Sequence, residues 1–241
     1  MKGLWTVYRR EMAQYFTSPI AYMIAAAFLL VTAAIFNINL TISVSRAAVN
    51  PAAVPISLSF FLIFLAPVLT MRLLAEEQRE GTLELLLTAP VTERAVVLGK
   101  FLSAWTYYSL LLAATLVYQV ILLLATTPEI GQAASAYIGI WLYGGAALAI
   151  GLLFSALTEN QVVAAFLGIA ALLLLWIGDA IGEVVSNIAV AQVLRNLTLQ
   201  GHYTTSFAVG VVRLEDVVFY AGLIVLALFL AIRAVEMRRW R

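Results

Sequence analysis

FLSAWTYYSLLLAATLVYQVILLLA, residues 101–125, is an apolar run without one charged side chain. A helix rises 1.5 Å per residue, so a run of this length suffices to cross roughly 30 Å of hydrocarbon. It does not alternate apolar with polar positions as a barrel strand does, and it therefore predicts a helix. Five similar runs flank it, at about residues 20–36, 56–71, 137–157, 162–178 and 217–232. Only 11% of the residues are charged and 63% are hydrophobic, where a soluble domain carries about a quarter charged. The expected fold is an all-α polytopic membrane protein with six transmembrane helices, and residues 1–241 form a single transmembrane domain.

Net charge is only +1, but its placement is informative. If both termini lie on one side, that side carries Lys2, Arg9, Arg10, Arg72, Arg79, Arg94, Lys100, Arg233, Arg238, Arg239 and Arg241. The other side carries Arg46, Arg195 and Arg213. The excess of positive charge predicts cytoplasmic termini. Zero cysteines exclude disulfides, thiolate metal sites and cysteine nucleophiles. The opening residues lack the pattern of a cleaved signal peptide. The basic ending RAVEMRRWR suits anionic lipid headgroups better than nucleic acid.

In residues 1–18, Trp5, Tyr8, Met12, Tyr15 and Phe16 recur at helical spacing, while Arg9, Arg10 and Gln14 fall mostly elsewhere. This predicts an amphipathic helix lying flat on the membrane, with Trp5, Arg9 and Arg10 as its notable residues. The alternative is a simple overhang of the first span. Ser18 and Pro19 suit an N-cap and a first helical position. Residues 37–55 hold two prolines and scattered polar groups, which predicts an external loop. Pro67 predicts a kink in span two. Ala147, Gly151 and Ser155 form a small-residue stripe suited to close helix approach, within the chain or between copies. TENQ, residues 158–161, reads as a tight turn. Residues 179–216 form the largest external segment, apolar enough in parts for short half-inserted helices.

Candidate chemistry is sparse. The central parts of the spans contain no Asp, Glu, Lys, Arg or His, and His202 is the single histidine. Asp179 and Glu183 are four apart near a membrane boundary, where solvated helix ends account for them. Gly99-Lys100 is not a P-loop, because Arg94 stands where the pattern needs glycine and Phe101 where it needs Ser or Thr. No catalytic residue, cofactor or metal site is expected, and any energy source must reside in another polypeptide.

The charge gathers instead in LLAEEQREGTLELLLTAPVTERAVVLGK, residues 73–100. Span two should continue as helix through good helix formers and stop at Gly81. Thr82 is a good N-cap for a new helix, with Glu84 in its first turn. Pro90 ends that helix by about residue 88, so it is far shorter than the roughly 12–15 residues an isolated helix needs. Leu83, Leu86 and Leu87 share one face and require a partner. Thr92 is the expected cap of span three, with Glu93 in its first turn and Lys100 near the interface. On spacing alone, the segment reads equally as a docking knuckle or as a solvated loop on the headgroups.

The same stretch resembles the signature region of ABC-2 type permeases, particularly a gliding-motility-associated branch with the pattern E-E-x-x-x-G-T-x-E-L-L-L-x-x-P-V followed by V-L-G-K. Glu76, Glu77, Gly81, Thr82, Glu84, Leu85, Leu86, Leu87, Pro90, Val91, Leu98, Gly99 and Lys100 match it. RREMAQYFTSPIAY, LTENQVVAA and VEMRRWR extend the likeness. The resemblance implies a six-helix permease in a bacterial cytoplasmic membrane, paired with a second permease copy and two separate ATPase subunits that bind ATP and Mg. It also implies that the loop between spans two and three carries a short coupling helix docking on the ATPase, with an external accessory protein as a further partner. Glu76, Glu77 and Glu84 are then candidates for contacts to the ATPase or to Arg9 and Arg10. Two other readings use the same residues: a non-transporting membrane anchor, and an interfacial lipid-acting enzyme built on Asp179, Glu183 and His202.

Overall fold

The computed structural model describes residues 2–46, 50–82, 91–184 and 197–238. In chain order its helices are α1 (Lys2–Thr17), α2 (Pro19–Arg46), α3 (Ala53–Arg79), α4 (Glu93–Ala114), α5 (Leu116–Ala125), α6 (Ile130–Leu157), α7 (Gln161–Val184), α8 (Leu199–Thr204) and α9 (Leu214–Arg238). A 3-10 turn, Phe207–Val209, follows α8. Six helical stretches are long and apolar enough to cross a membrane: α2, α3, α4 with α5, α6, α7 and α9. The protein is an all-α polytopic membrane protein.

Two expectations about span ends are corrected. Helix α2 does not stop near residue 36 but runs to Arg46. Its polar residues are accommodated because Asn39 donates to the Ile35 carbonyl and Thr41 to that of Asn37, one turn back. The third span is not one continuous helix. It breaks at Thr115, whose hydroxyl bonds the Leu112 carbonyl, while Tyr137 of α6 donates to the Thr115 carbonyl at 3.1 Å. The freed backbone groups are thus satisfied inside the protein, as a break at membrane depth requires.

Helix α6 is the central post, packed against α3, α9, α7 and α4. The Ala147–Gly151–Ser155 stripe faces inward, on α3. A Cβ at Gly151 would lie 2.3 Å from Thr70 Oγ1, and one at Gly168 of α7 would lie 3.2 Å from Pro67. The two glycines therefore admit the proline-bearing segment of α3 between α6 and α7. Ser155 sits astride the backbone of α3: it donates to the Met71 carbonyl and accepts from the Leu74 and Ala75 amides at 3.1 and 3.0 Å. Gln78 adds a bond to the Ala156 carbonyl. The last turns of α3 are fixed to the last turns of α6.

At the opposite end, α8 and the 3-10 turn fold back into the helices, with Leu199, Tyr203 and Phe207 fully buried. Gly139 of α6 leaves the space that the Phe207 ring fills. Ser135 and Gln132 donate to the Phe207 and Ala208 carbonyls at 2.9 and 3.0 Å. The apolar stretch expected to supply half-inserted helices, residues 184–194, lies almost wholly outside the described residues, which omit 185–196.

Candidate functional site

Helix α1 turns at Ser18 into α2 and lies along α4. Val7 and Glu11 are buried, whereas Trp5 is 58% and Phe16 51% exposed. Trp5 stacks on Tyr8, whose hydroxyl reaches Thr106 of α4. The helix is amphipathic, but a carboxylate occupies the middle of its buried face and two large rings point outward, where an interfacial helix meets lipid.

The buried Glu11 is explained by what it meets. Lys100 of α4 is 1% exposed, enclosed by the protein. Its Nζ lies 2.9 Å from Glu11 Oε1 and 2.9 Å from Glu77 Oε1 of α3. Arg10 Nη2 bridges the same two carboxylates at 2.7 Å each. Two cations and two carboxylates thus form a closed node that ties α1, α3 and α4 together. Burial favours loss of the Arg10 proton, but the facing Glu11 and Glu77 outweigh it and raise its pKa. Gly99 permits the node: a Cβ there would stand 2.9 Å from Val7 Cγ1 and 3.1 Å from the Leu4 carbonyl. Since α3 and α4 touch little elsewhere, the node is a principal link between the helices that flank the charged loop.

The other candidate residues group around this node. Glu76 pairs with Arg72, one turn back on α3, at 3.1 Å. Arg9 is exposed and makes no ion pair among the described residues. Gly81 has φ +69, the left-handed conformation of a helix-terminating glycine, so α3 ends where expected. The Thr82 hydroxyl donates back to the Glu77 carbonyl at 3.3 Å, and the amides it is expected to cap lie outside the described residues. Leu83, Glu84, Leu86, Leu87 and Pro90 lie outside the described residues. The chain resumes as expected, with Thr92 accepting from the Ala95 amide at the start of α4.

Beside the node opens a cavity of about 520 Å³, bounded by the second half of α1, the first turn of α2 and the end of α3. Tyr15 crosses it to donate to the Leu69 carbonyl and stacks on Tyr107 at 4.6 Å. Sequence reasoning missed Glu11 and Lys100 as a pair. Their available signal was a carboxylate on the packed face of an amphipathic helix, with a Gly-Lys step just before a long apolar run.

Of the residues suggested for lipid chemistry, only the His202 side chain lies among the described residues. His202 Nδ1 lies 2.6 Å from Asp216 Oδ1 and its ring stacks on Phe219 at 3.9 Å. That pairing joins α8 to the first turn of α9. The side chains of Asp179 and Glu183 lie outside the described residues, and no metal-binding group occurs among the described residues.

A six-helix membrane domain with a charged, buried junction at the root of one loop is now in place, and comparison with known families identifies it. A family model described as "ABC-2 family transporter protein" matches residues 5–235. The chain belongs to this family. No curated protein matches the chain. The matched region begins inside α1 and ends inside α9, so it contains every element of the node. Permeases of the ABC-2 family generally work with separate ABC ATPase subunits.

Proposed function

We propose that this ABC-2 family chain is the permease subunit of a transport complex, and that the loop after Gly81 is the site where separate ATPase subunits act on it. In this reading the ATPases bind ATP and Mg, and this chain hydrolyses nothing itself. Their closure moves the Leu83, Leu86 and Leu87 face together with Gly81, and the membrane helices convert that movement into export or mechanical work. The chain then pairs with a second permease copy in a bacterial cytoplasmic membrane, with α1 and the termini cytoplasmic. The signature-like motif supports placement near the gliding-motility branch.

The observation that carries the reading is the Arg10–Glu11–Glu77–Lys100 node. It lies one helical turn before Gly81, at the root of the loop, and couples α3 directly to α1 and α4. Force on the loop would reach α6 through Ser155 and Gln78, and α1 through the node. Without such links a push on the loop would only bend it. The two helices that flank the loop, α3 and α4, are thus joined through charge and through α1.

The test is co-expression with ABC ATPase subunits from the same genome, followed by affinity purification and ATPase assay in nanodiscs. Leu86→Asp should lose the ATPase from the purified complex. Lys100→Met should retain it but lose the change in hydrolysis rate that cargo produces. Unchanged assembly and unchanged cargo-dependent hydrolysis in both variants would sink the proposal. A complex whose ATPase rate ignores every cargo would favour the anchor reading.

A further inference from the structure

We propose that the cavity between α1, α2 and α3 binds a phospholipid with a primary-ammonium headgroup, seated with its phosphate at Arg72 and its ammonium toward Glu76 and Glu80. The proposal does not rest on the transport reading.

The order of groups along α3 carries it. Moving toward the C-terminal end of α3, the cavity wall presents Val68 and Leu69, then Arg72, then Glu76 and Glu80. That is an apolar step, a cation and two carboxylates, spaced by about 6 Å per four residues. A headgroup of this class presents acyl and glycerol carbons, then phosphate, then an ammonium two carbons further out. The two series are complementary in the same direction. Opposite α3, Ile20 and Ile24 of α2 complete the apolar floor. Ile20 is 47% exposed and only 17% of the residues in the most apolar window of α2 are buried, so this floor is open sideways to acyl chains.

Charge decides which headgroup fits. Around the cavity stand the cations Arg10, Arg72 and Lys100 against Glu11, Glu76, Glu77 and Glu80. The balance is one negative charge, so a purely anionic headgroup would be repelled. Glu76 takes Nε and Nη2 of Arg72, which leaves Nη1 to face a phosphate. Glu77 Oε2 is closed off from the cavity and its Oε1 serves both node cations, so the carboxylate open to a donor is Glu80, which lines the cavity, is exposed, and makes no side-chain hydrogen bond or ion pair among the described residues. A primary ammonium brings three N–H groups, and a quaternary ammonium brings none. The volume, about 520 Å³, is within the usual range for a small ligand site, enough for a headgroup with the chains leaving along the open side.

Native mass spectrometry of the full chain tests this, using phosphatidylethanolamine, phosphatidylcholine and phosphatidylglycerol of identical acyl chains. The wild-type protein should bind the ethanolamine lipid about tenfold more tightly than either competitor. Arg72→Glu and Glu80→Lys should each reduce that preference to near unity, while Arg72→Lys, which keeps the cation, should preserve it in an equally helical protein. Equal uptake of all three lipids by the wild type would mean annular lipid only and overturn the site. Tighter binding of the glycerol lipid, or a preference that survives both charge reversals, would overturn it as well.

Discussion

Replacing Lys100 by Met removes one ammonium while keeping nearly the same length of chain, and the node sets the cost. The Lys100 and Glu11 side chains are 2% and 3% exposed, so the abandoned Glu11 carboxylate cannot be rescued by water. Breaking a buried pair from one side costs about 3–5 kcal/mol. Arg10 remains and still touches both carboxylates at 2.7 Å, which places the loss at the lower end, about 3 kcal/mol. For a chain of this length each kcal/mol shifts the melting temperature by about 2–4 °C, so the midpoint should fall by roughly 6–12 °C. Scanning fluorimetry of the full chain in nanodiscs reads this directly. The decisive companion is Lys100→Met combined with Glu11→Gln: with no stranded charge, the double variant should recover to within about 1 kcal/mol of the wild type. A single variant melting within about 2 °C of the wild type, or a double variant no better than the single, would refute the claim that a buried node joins α1 to α4.

Gly99→Ala places a Cβ against Val7 and the Leu4 carbonyl, so α1 must lift from α4; a loss of about 1–3 kcal/mol should appear in the same melting assay, with faster proteolysis within α1. At Gly81 a Cβ meets nothing within 4 Å, so Gly81→Ala should cost only the left-handed backbone penalty of about 1–2 kcal/mol. Gly81→Pro cannot adopt φ +69 and should abolish cargo-dependent ATPase in the co-purified complex, whereas Gly81→Ala should retain part of it. Ser155→Ala removes the hydroxyl that engages three backbone groups of α3; a loss of about 1–3 kcal/mol should accompany faster amide exchange at residues 74 and 75, with no change at α9.

Much of the architecture was legible before any coordinates. Six uncharged runs, the turn at Ser18-Pro19, the stop at Gly81 and the cap at Thr92 are local properties, set by hydropathy, backbone conformation and side chains that reach no further than the next turn. Two expectations failed for different reasons, one local and one not. Asn39 and Thr41 looked like loop residues, but in α2 each bonds a carbonyl one turn back. The 101–125 run looked continuous, but Tyr137 from another helix supports a break at Thr115.

The candidate site divides in the same way. The sequence alone determined that this chain spans a membrane with six helices, gathers its charge in one loop, and forms no P-loop at Gly99-Lys100, because length, hydropathy and motif spacing depend only on neighbours along the chain. Only the tertiary structure decided that Glu11, Glu77 and Lys100 are one unit. They are separated by 66 and 23 positions in the sequence, and a buried charge is tolerated only where opposite charges are delivered to it by other helices. The same reason separates Glu76 from Glu77. Adjacent and chemically alike, they point a helical step apart, so one closes onto Arg72 of its own helix and the other locks α3 to α1 and α4.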